Sequence, residues 1–226
     1  MDDLTRLPTG IRGLDEMIEG GFPFPSVILV AGSAGTGKTT FSLQFLIEGA
    51  KRGETGLFIT TLSEPTQWML RFATRFEFLK REYFGKDIFY LDLGNIIRHK
   101  KYDELLDYID KSIAEIMPQR IVIDPITVVG TFMKDEYRSF LFDLTTHLKN
   151  WQATTLLTGE VDNNQKYPTE VAYAADGVVL LLMKEEDDAR RKYLEVLKMR
   201  GTNHLTGRQP VSITTSNGIV VLKARF

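Results

Sequence analysis

Cysteine is missing altogether from the 226 residues, and with it go disulfides, thiolate metal sites, iron–sulfur clusters and a thiol nucleophile. Any chemistry must come from oxygen and nitrogen groups. Histidine is scarce at three, and His99 and His147 stand in no ligand-like cluster, so both read as solvated or capping residues. Charge of one sign is also lacking: 28 Lys and Arg against 30 Asp and Glu leave −2, which gives no global basic field to draw in nucleic acid. Long apolar runs are absent too. VILVA and VVLLLM fall far short of a membrane span, and the acidic opening MDDLTRLPTG has neither the basic nor the apolar region of a signal peptide. The expectation is a cytoplasmic chain without a membrane. A hydrophobic content of 43% with 26% charged residues argues against disorder and coiled coil; the length fits one large domain or two small ones, and with no linker visible a single domain over residues 1–226 is expected.

What is present is an alternation of apolar runs with amphipathic stretches, the pattern of a parallel sheet flanked by helices. Strands are predicted at Ser26–Ala31, Thr55–Thr61, Ile88–Leu93, Arg120–Asp124, Ala153–Thr158 and Gly177–Met183. Their continuous apolar character predicts burial on both faces. Helices are predicted over Thr39–Arg52, Pro65–Lys80, Tyr102–Met117 and Glu136–Asn150, the third from Leu105, Leu106, Ile109, Ile113 and Ile116 at helical spacing. From Gly177 onward short strands and turns take over, with KEEDDARRK as a charged loop, so the C-terminal fifth reads as antiparallel.

The strongest local signal is GSAGTGKT, Gly32–Thr39, a match to G-x-x-x-x-G-K-[ST] set between a buried strand and a helix. In that setting successive backbone N–H groups wrap an anionic oxygen, and the helix N-terminus adds partial positive charge. Gly35 and Gly37 let the backbone approach and adopt positive φ. Lys38 supplies a point charge to the β- and γ-phosphates of a nucleotide, and the Thr39 hydroxyl can ligate Mg²⁺. Asp124, closing the strand RIVID, emerges at the carboxyl end of the sheet and is the second Mg²⁺ carboxylate candidate. Glu64, just past the second predicted strand in TGLFITTLSEP, is the candidate for orienting an attacking water, with capping of the helix after it as the alternative role. Glu160, the last residue of ATTLLTGE, is its rival across the sheet centre.

With these residues in hand, the chain resembles the KaiC-like branch of the RecA-type ATPases over nearly its whole length. PTGIRGLDEMIEGGF, GSAGTGKTTFSLQFL, RIVIDPIT and VLKMRGTNHLTGRQPVSIT carry the resemblance. It implies an α/β RecA-like P-loop NTPase core, a mostly parallel twisted sheet flanked by helices with antiparallel C-terminal strands. It also implies ATP and Mg²⁺ as ligands, with Gly35, Thr36, Gly37, Lys38, Thr39, Thr40 and Asp124 around the nucleotide. By the same analogy the protein is a homo-oligomer, a hexameric ring, in which Lys198, Met199, Arg200, Thr202 and His204 reach a neighbour's nucleotide and Lys198 and Arg200 assist catalysis. Alternation along a strand puts Lys198 and Arg200 on one face, as a γ-phosphate developing charge requires.

The chain departs from the family pattern in three places. Ser63-Glu64 stands where two glutamates are usual, Pro125 follows the second-motif aspartate in place of Ser, and Phe76-Glu77-Phe78 replaces Phe-Gly-Trp. Ala172-Tyr173 stands where the clock protein carries its self-phosphorylating hydroxyl pair, so no autokinase is expected. Trp68, Phe72 and Phe76, four residues apart, read as a core stripe of one helix in preference to a base-stacking surface. The loop Val161–Asp176 carries one Lys against three acids, too few cations for DNA affinity. The sequence thus points to a slow ATPase converting ATP to ADP and phosphate. The alternatives are a nucleotide-dependent regulatory or scaffold protein acting on an unidentified protein partner, and a recombination or repair accessory ATPase.

Overall fold

The computed structural model describes residues 4–62, 71, 75–161, 166–186 and 189–222. In chain order the elements are β1 (Arg6–Leu7), β2 (Phe22–Pro23), β3 (Val27–Gly32), α1 (Lys38–Lys51), β4 (Gly56–Thr60), β5 (Ile88–Asp92), α2 (Tyr102–Ile116), β6 (Arg120–Asp124), α3 (Ile126–Met133), α4 (Tyr137–Asn150), β7 (Thr154–Glu160), α5 (Thr169–Ala174), β8 (Gly177–Glu186), β9 (Ala189–Met199), β10 (Arg208–Thr214) and β11 (Gly218–Val221). Nine strands form one sheet in the order β11-β10-β9-β8-β3-β7-β6-β4-β5. From β8 to β5 all neighbours are parallel, and β8-β9, β9-β10 and β10-β11 are antiparallel. This is the RecA-like arrangement expected from the sequence.

The predicted two-sided burial is present. Val27, Leu29 and Ala31 of β3 face a core shared with α2, α3, α4 and α5. Ile28 and Val30 face the opposite core, filled by Phe41, Phe45 and Leu46 of α1 and by Ile11, Leu14, Ile18 and Phe22 of the leading segment. Central strands of a parallel sheet are covered by helices on both sides, which is why their sequences are continuously apolar.

Several boundaries shift. β8 and β9 run through most of the charged stretch taken as a loop, because Glu185 lies opposite Arg190 in the ladder and pairs with it at 3.1 Å, while Arg191 reaches Glu186 at 3.5 Å; opposite charges across a ladder are favourable. Most of the predicted helix Pro65–Lys80, with Glu64, Trp68 and Phe72, lies outside the described residues. It does not extend to Lys80: the chain is in turns from Arg75, where Glu77 N–H donates to Thr215 O and Phe76 packs on Phe78. Two short helices, α3 and α5, were not anticipated. α5 lies inside the segment read as a loop, held by buried Val171, Ala172 and Ala174. Among the described residues no helix is long and apolar enough to cross a membrane.

Candidate functional site

At the carboxyl end of the central strand β3, residues 33–37 turn into α1. Gly35 and Gly37 have φ of +77° and +110°, a region that glycine occupies without strain. A Cβ at Gly37 would in addition meet Ile213 Cδ1 at 2.7 Å. Thr36 is buried and its hydroxyl donates to Ser33 O at 2.8 Å, which fixes the loop from within. Thr40 is half-buried on the first turn of α1.

Lys38 opens α1, and its ammonium donates to Gly32 O at 2.8 Å and Ser33 O at 3.0 Å and pairs with Glu160 Oε1 at 2.9 Å. Beside it, Thr39 Oγ1 donates to Asp124 Oδ2 at 2.9 Å, and Thr158 Oγ1 donates to Asp124 Oδ1 at 2.5 Å. Parallel pairing aligns the carboxyl ends of β3, β6 and β7 on one rim, which brings together residues 85 and 34 positions apart in sequence. Burial pushes the Asp124 carboxyl above its ordinary range, against the hydrogen bonds of Thr158 and Thr39 and the charge of Lys38, while Glu160 adds to the rise. A cavity of about 150 Å³ lined by Thr39, Phe58, Thr60, Leu62, Asp124 and Glu160 opens on this rim.

A second group of cations lies elsewhere. Lys198 donates to Ala175 O at 2.6 Å and Ala172 O at 3.2 Å, and Arg200 pairs with Asp176 at 3.0 Å. Both line a cavity of about 620 Å³ with Phe142, Lys149, Tyr173 and Leu197. Burial lowers the Lys198 ammonium pKa, with the Arg200 charge adding to the effect and Asp176 opposing it. Met199, between them, points into the core instead, 5% exposed, with its Sδ against Gly177; its side chain is thus turned away from the face that carries the cations. Thr202 accepts from Arg6 Nη1 at 2.8 Å, and His204 is half-buried near Leu205 O. Neither lines the cavity that holds Lys198 and Arg200.

Apart from Arg6, this arrangement falls within residues 7–225, which match the family model of the KaiC ATPase. The chain belongs to the KaiC ATPase family. It is 33% identical to the circadian clock protein KaiC3 of Synechocystis sp. over 236 aligned residues, covering 98% of this chain and 46% of that protein, so it spans about half the length of that relative. A UPF0273 protein of Thermotoga maritima is 32% identical, with 96% of each chain covered. The crystal structure of the KaiC-like protein PH0186 of Pyrococcus horikoshii superposes with a TM-score of 0.86 at 33% identity, covering 98% of this chain and 100% of that one.

In this KaiC-family chain the geometry also brings in residues that sequence reasoning passed over. Lys192 of β9 donates to Gly35 O at 2.7 Å, at the tip of the glycine-rich turn. Thr158 holds Asp124 from below. No spacing rule links either residue to the turn; only strand order does. Glu64 lies outside the described residues.

Proposed function

We propose that this KaiC-family protein is a Mg²⁺-dependent ATPase that cleaves ATP to ADP and phosphate between subunits of a homo-oligomeric ring in the cytoplasm. The observation that carries it is the meeting of Thr39 and Asp124 at 2.9 Å beside the buried Lys38. A hydroxyl and a carboxylate, both hard oxygen donors, suit Mg²⁺, which takes few protein ligands and leaves its other positions to waters and phosphate oxygens. Among the described residues no cluster of three or more His, Cys, Asp or Glu gathers, in keeping with a cation shared with the substrate. When bound, Mg²⁺ supplies charge neutralisation at the β- and γ-phosphates. The amides of residues 35–40 and Lys38 hold the phosphates, Thr39 and Asp124 hold the cation, and Glu64 orients the attacking water.

Lys198 and Arg200 act on the neighbouring subunit's nucleotide in this reading. Placement supports it. Lys192 touches the turn, whereas the Lys198 ammonium is held by Ala172 O and Ala175 O on the sheet face opposite α1, so one chain's Lys198 does not face its own cradle.

The test is ATP turnover, with and without EDTA, in wild type beside Lys38→Ala, Glu64→Gln and Arg200→Ala at several protein concentrations. Loss of turnover in all three and with EDTA is expected. Full activity of Arg200→Ala at every concentration contradicts the shared site. A second reading, a nucleotide-dependent scaffold acting on a protein partner with negligible turnover, is favoured by Ser63 standing in place of a second acid. Size exclusion with ATP against ADP separates the two: assembly that follows nucleotide state without turnover supports the scaffold. DNA binding is the least supported reading, and salt-insensitive failure to retain single-stranded DNA excludes it.

A further inference from the structure

Glu160 has no part in the reading above, yet it touches the cradle lysine. Lys38 is 6% exposed, and two of its three partners are the neutral carbonyls of Gly32 and Ser33. They satisfy N–H donors without balancing the charge, and a buried ammonium needs that balance. Glu160 Oε1 is the carboxylate in direct contact, at 2.9 Å, with Asp124 close enough to feel the same charge. The placement is built into the fold. Glu160 closes β7, stands opposite Gly32 in the parallel ladder, and has its backbone N–H held by Thr127 Oγ1 at 3.2 Å in the first turn of α3. Its side chain is 49% exposed, so the pair can open toward solvent without disturbing the core.

We propose that Glu160 is the resident counter-ion of Lys38 and so makes the site respond to the third phosphate of a nucleotide. This rests on the phosphate-cradle reading. A ligand that needs the lysine must take it from Glu160, and apparent affinity falls by the fraction of chains in which the ammonium is free. A diphosphate reaches the lysine through its β-phosphate alone and is otherwise held by main-chain amides of the turn. A triphosphate draws the lysine fully and brings further negative charge beside the released carboxylate, so Glu160 weighs most against the triphosphate.

Titration calorimetry of the full chain with a non-hydrolysable ATP analogue and with ADP, both with Mg²⁺, tests this in wild type, Glu160→Gln and Glu160→Asp. The half-exposed strand end makes the substitutions compatible with folding, and circular dichroism checks it. Glu160→Gln is expected to bind the triphosphate analogue about tenfold more tightly and ADP less than about threefold more tightly. Glu160→Asp, which keeps the charge, is expected to retain the wild-type ratio of the two affinities. Unchanged or weaker binding of the analogue by Glu160→Gln, or an equal gain for both ligands, overturns the proposal. If folded wild type binds neither nucleotide, the cradle reading fails as well; if it binds both and the variant changes nothing, only the counter-ion role falls.

Discussion

Asp124 carries two opposed demands: it sits 9% exposed at a strand end, yet it has to be ionised to hold a divalent cation. Burial raises its pKa above the ordinary 3.8, so the folded chain holds the proton more tightly than the unfolded chain does. Stability from this group is therefore greatest below the unfolded value and is lost as pH rises through the raised one. Relative to Asp124→Asn, which does not titrate, the ligand-free wild type should lose stability as pH rises above about 4. Thermal melts across that range check this, and a melting gap that ignores pH contradicts it. Arg120 poses the reverse case. It is fully buried, stacks over Phe45 at 4.6 Å, donates to Pro8 O and Phe45 O at 2.8 and 2.9 Å, and pairs with Glu54, while its Nη2 finds no hydrogen-bond partner. It ties the leading segment, α1 and β6 together. Arg120→Met strands Glu54 and two carbonyls, and a loss of about 3 kcal/mol in urea denaturation is expected; a loss under about 1 kcal/mol argues against the clamp.

Helices α2 and α4 are joined by a polar contact that sequence spacing concealed. Asp110 of α2 accepts from His147 Nδ1 of α4 at 2.5 Å and from Trp151 Nε1 at 2.9 Å. His147, read from sequence as a solvated or capping residue, keeps 41% of its side chain exposed and also bridges two helices, because packing sets the polar edges of α2 and α4 side by side. Nearby, Tyr102 of α2 bonds Asp143 of α4. Asp110→Ala should cost about 1–2 kcal/mol and raise hydrogen-exchange rates in α2 ahead of those in β3, as measured by exchange mass spectrometry. Uniform exchange across both elements would show that the contact carries no local stability. The unforeseen α3 belongs to this scale as well. ITVVGTFM carries Ile126, Val129 and Met133 at helical spacing, but two turns rich in β-branched residues with a central glycine also fit a short strand, so the period alone does not mark it as a helix.

At the scale of the whole molecule the two cation groups lie on opposite faces of the sheet, Lys38 on α1 and Lys198 against Ala172 and Ala175. The ladder places Lys198 beside Val178 and Val178 beside Leu29, three residues short of the turn at Gly32. If the reaction needs both groups, a second copy must supply one of them, and two inactive variants should then complement each other. Mixing Lys38→Ala with Arg200→Ala in equal amounts should restore about one quarter of wild-type turnover, since one interface in four pairs an intact cradle with an intact arginine. An ATPase assay over a mixing series checks this. Activity that stays at the level of the separate variants points to a site completed within one chain.

The sequence by itself determined the features that depend on neighbours along the chain. A glycine-rich turn between strand and helix, continuously apolar strands and the helical period of α2 are local consequences of backbone sterics and burial, and Gly35 and Gly37 adopt the positive φ expected of them. The motif string also made the family legible. Only the tertiary structure decided which distant groups meet: Thr158 under Asp124, Glu160 on Lys38, Lys192 on the turn, and Lys198 drawn to the carbonyls of α5. Strand order and register set those contacts, and neither is written in the spacing of residues; a side chain's partner depends on which strand is folded next to it.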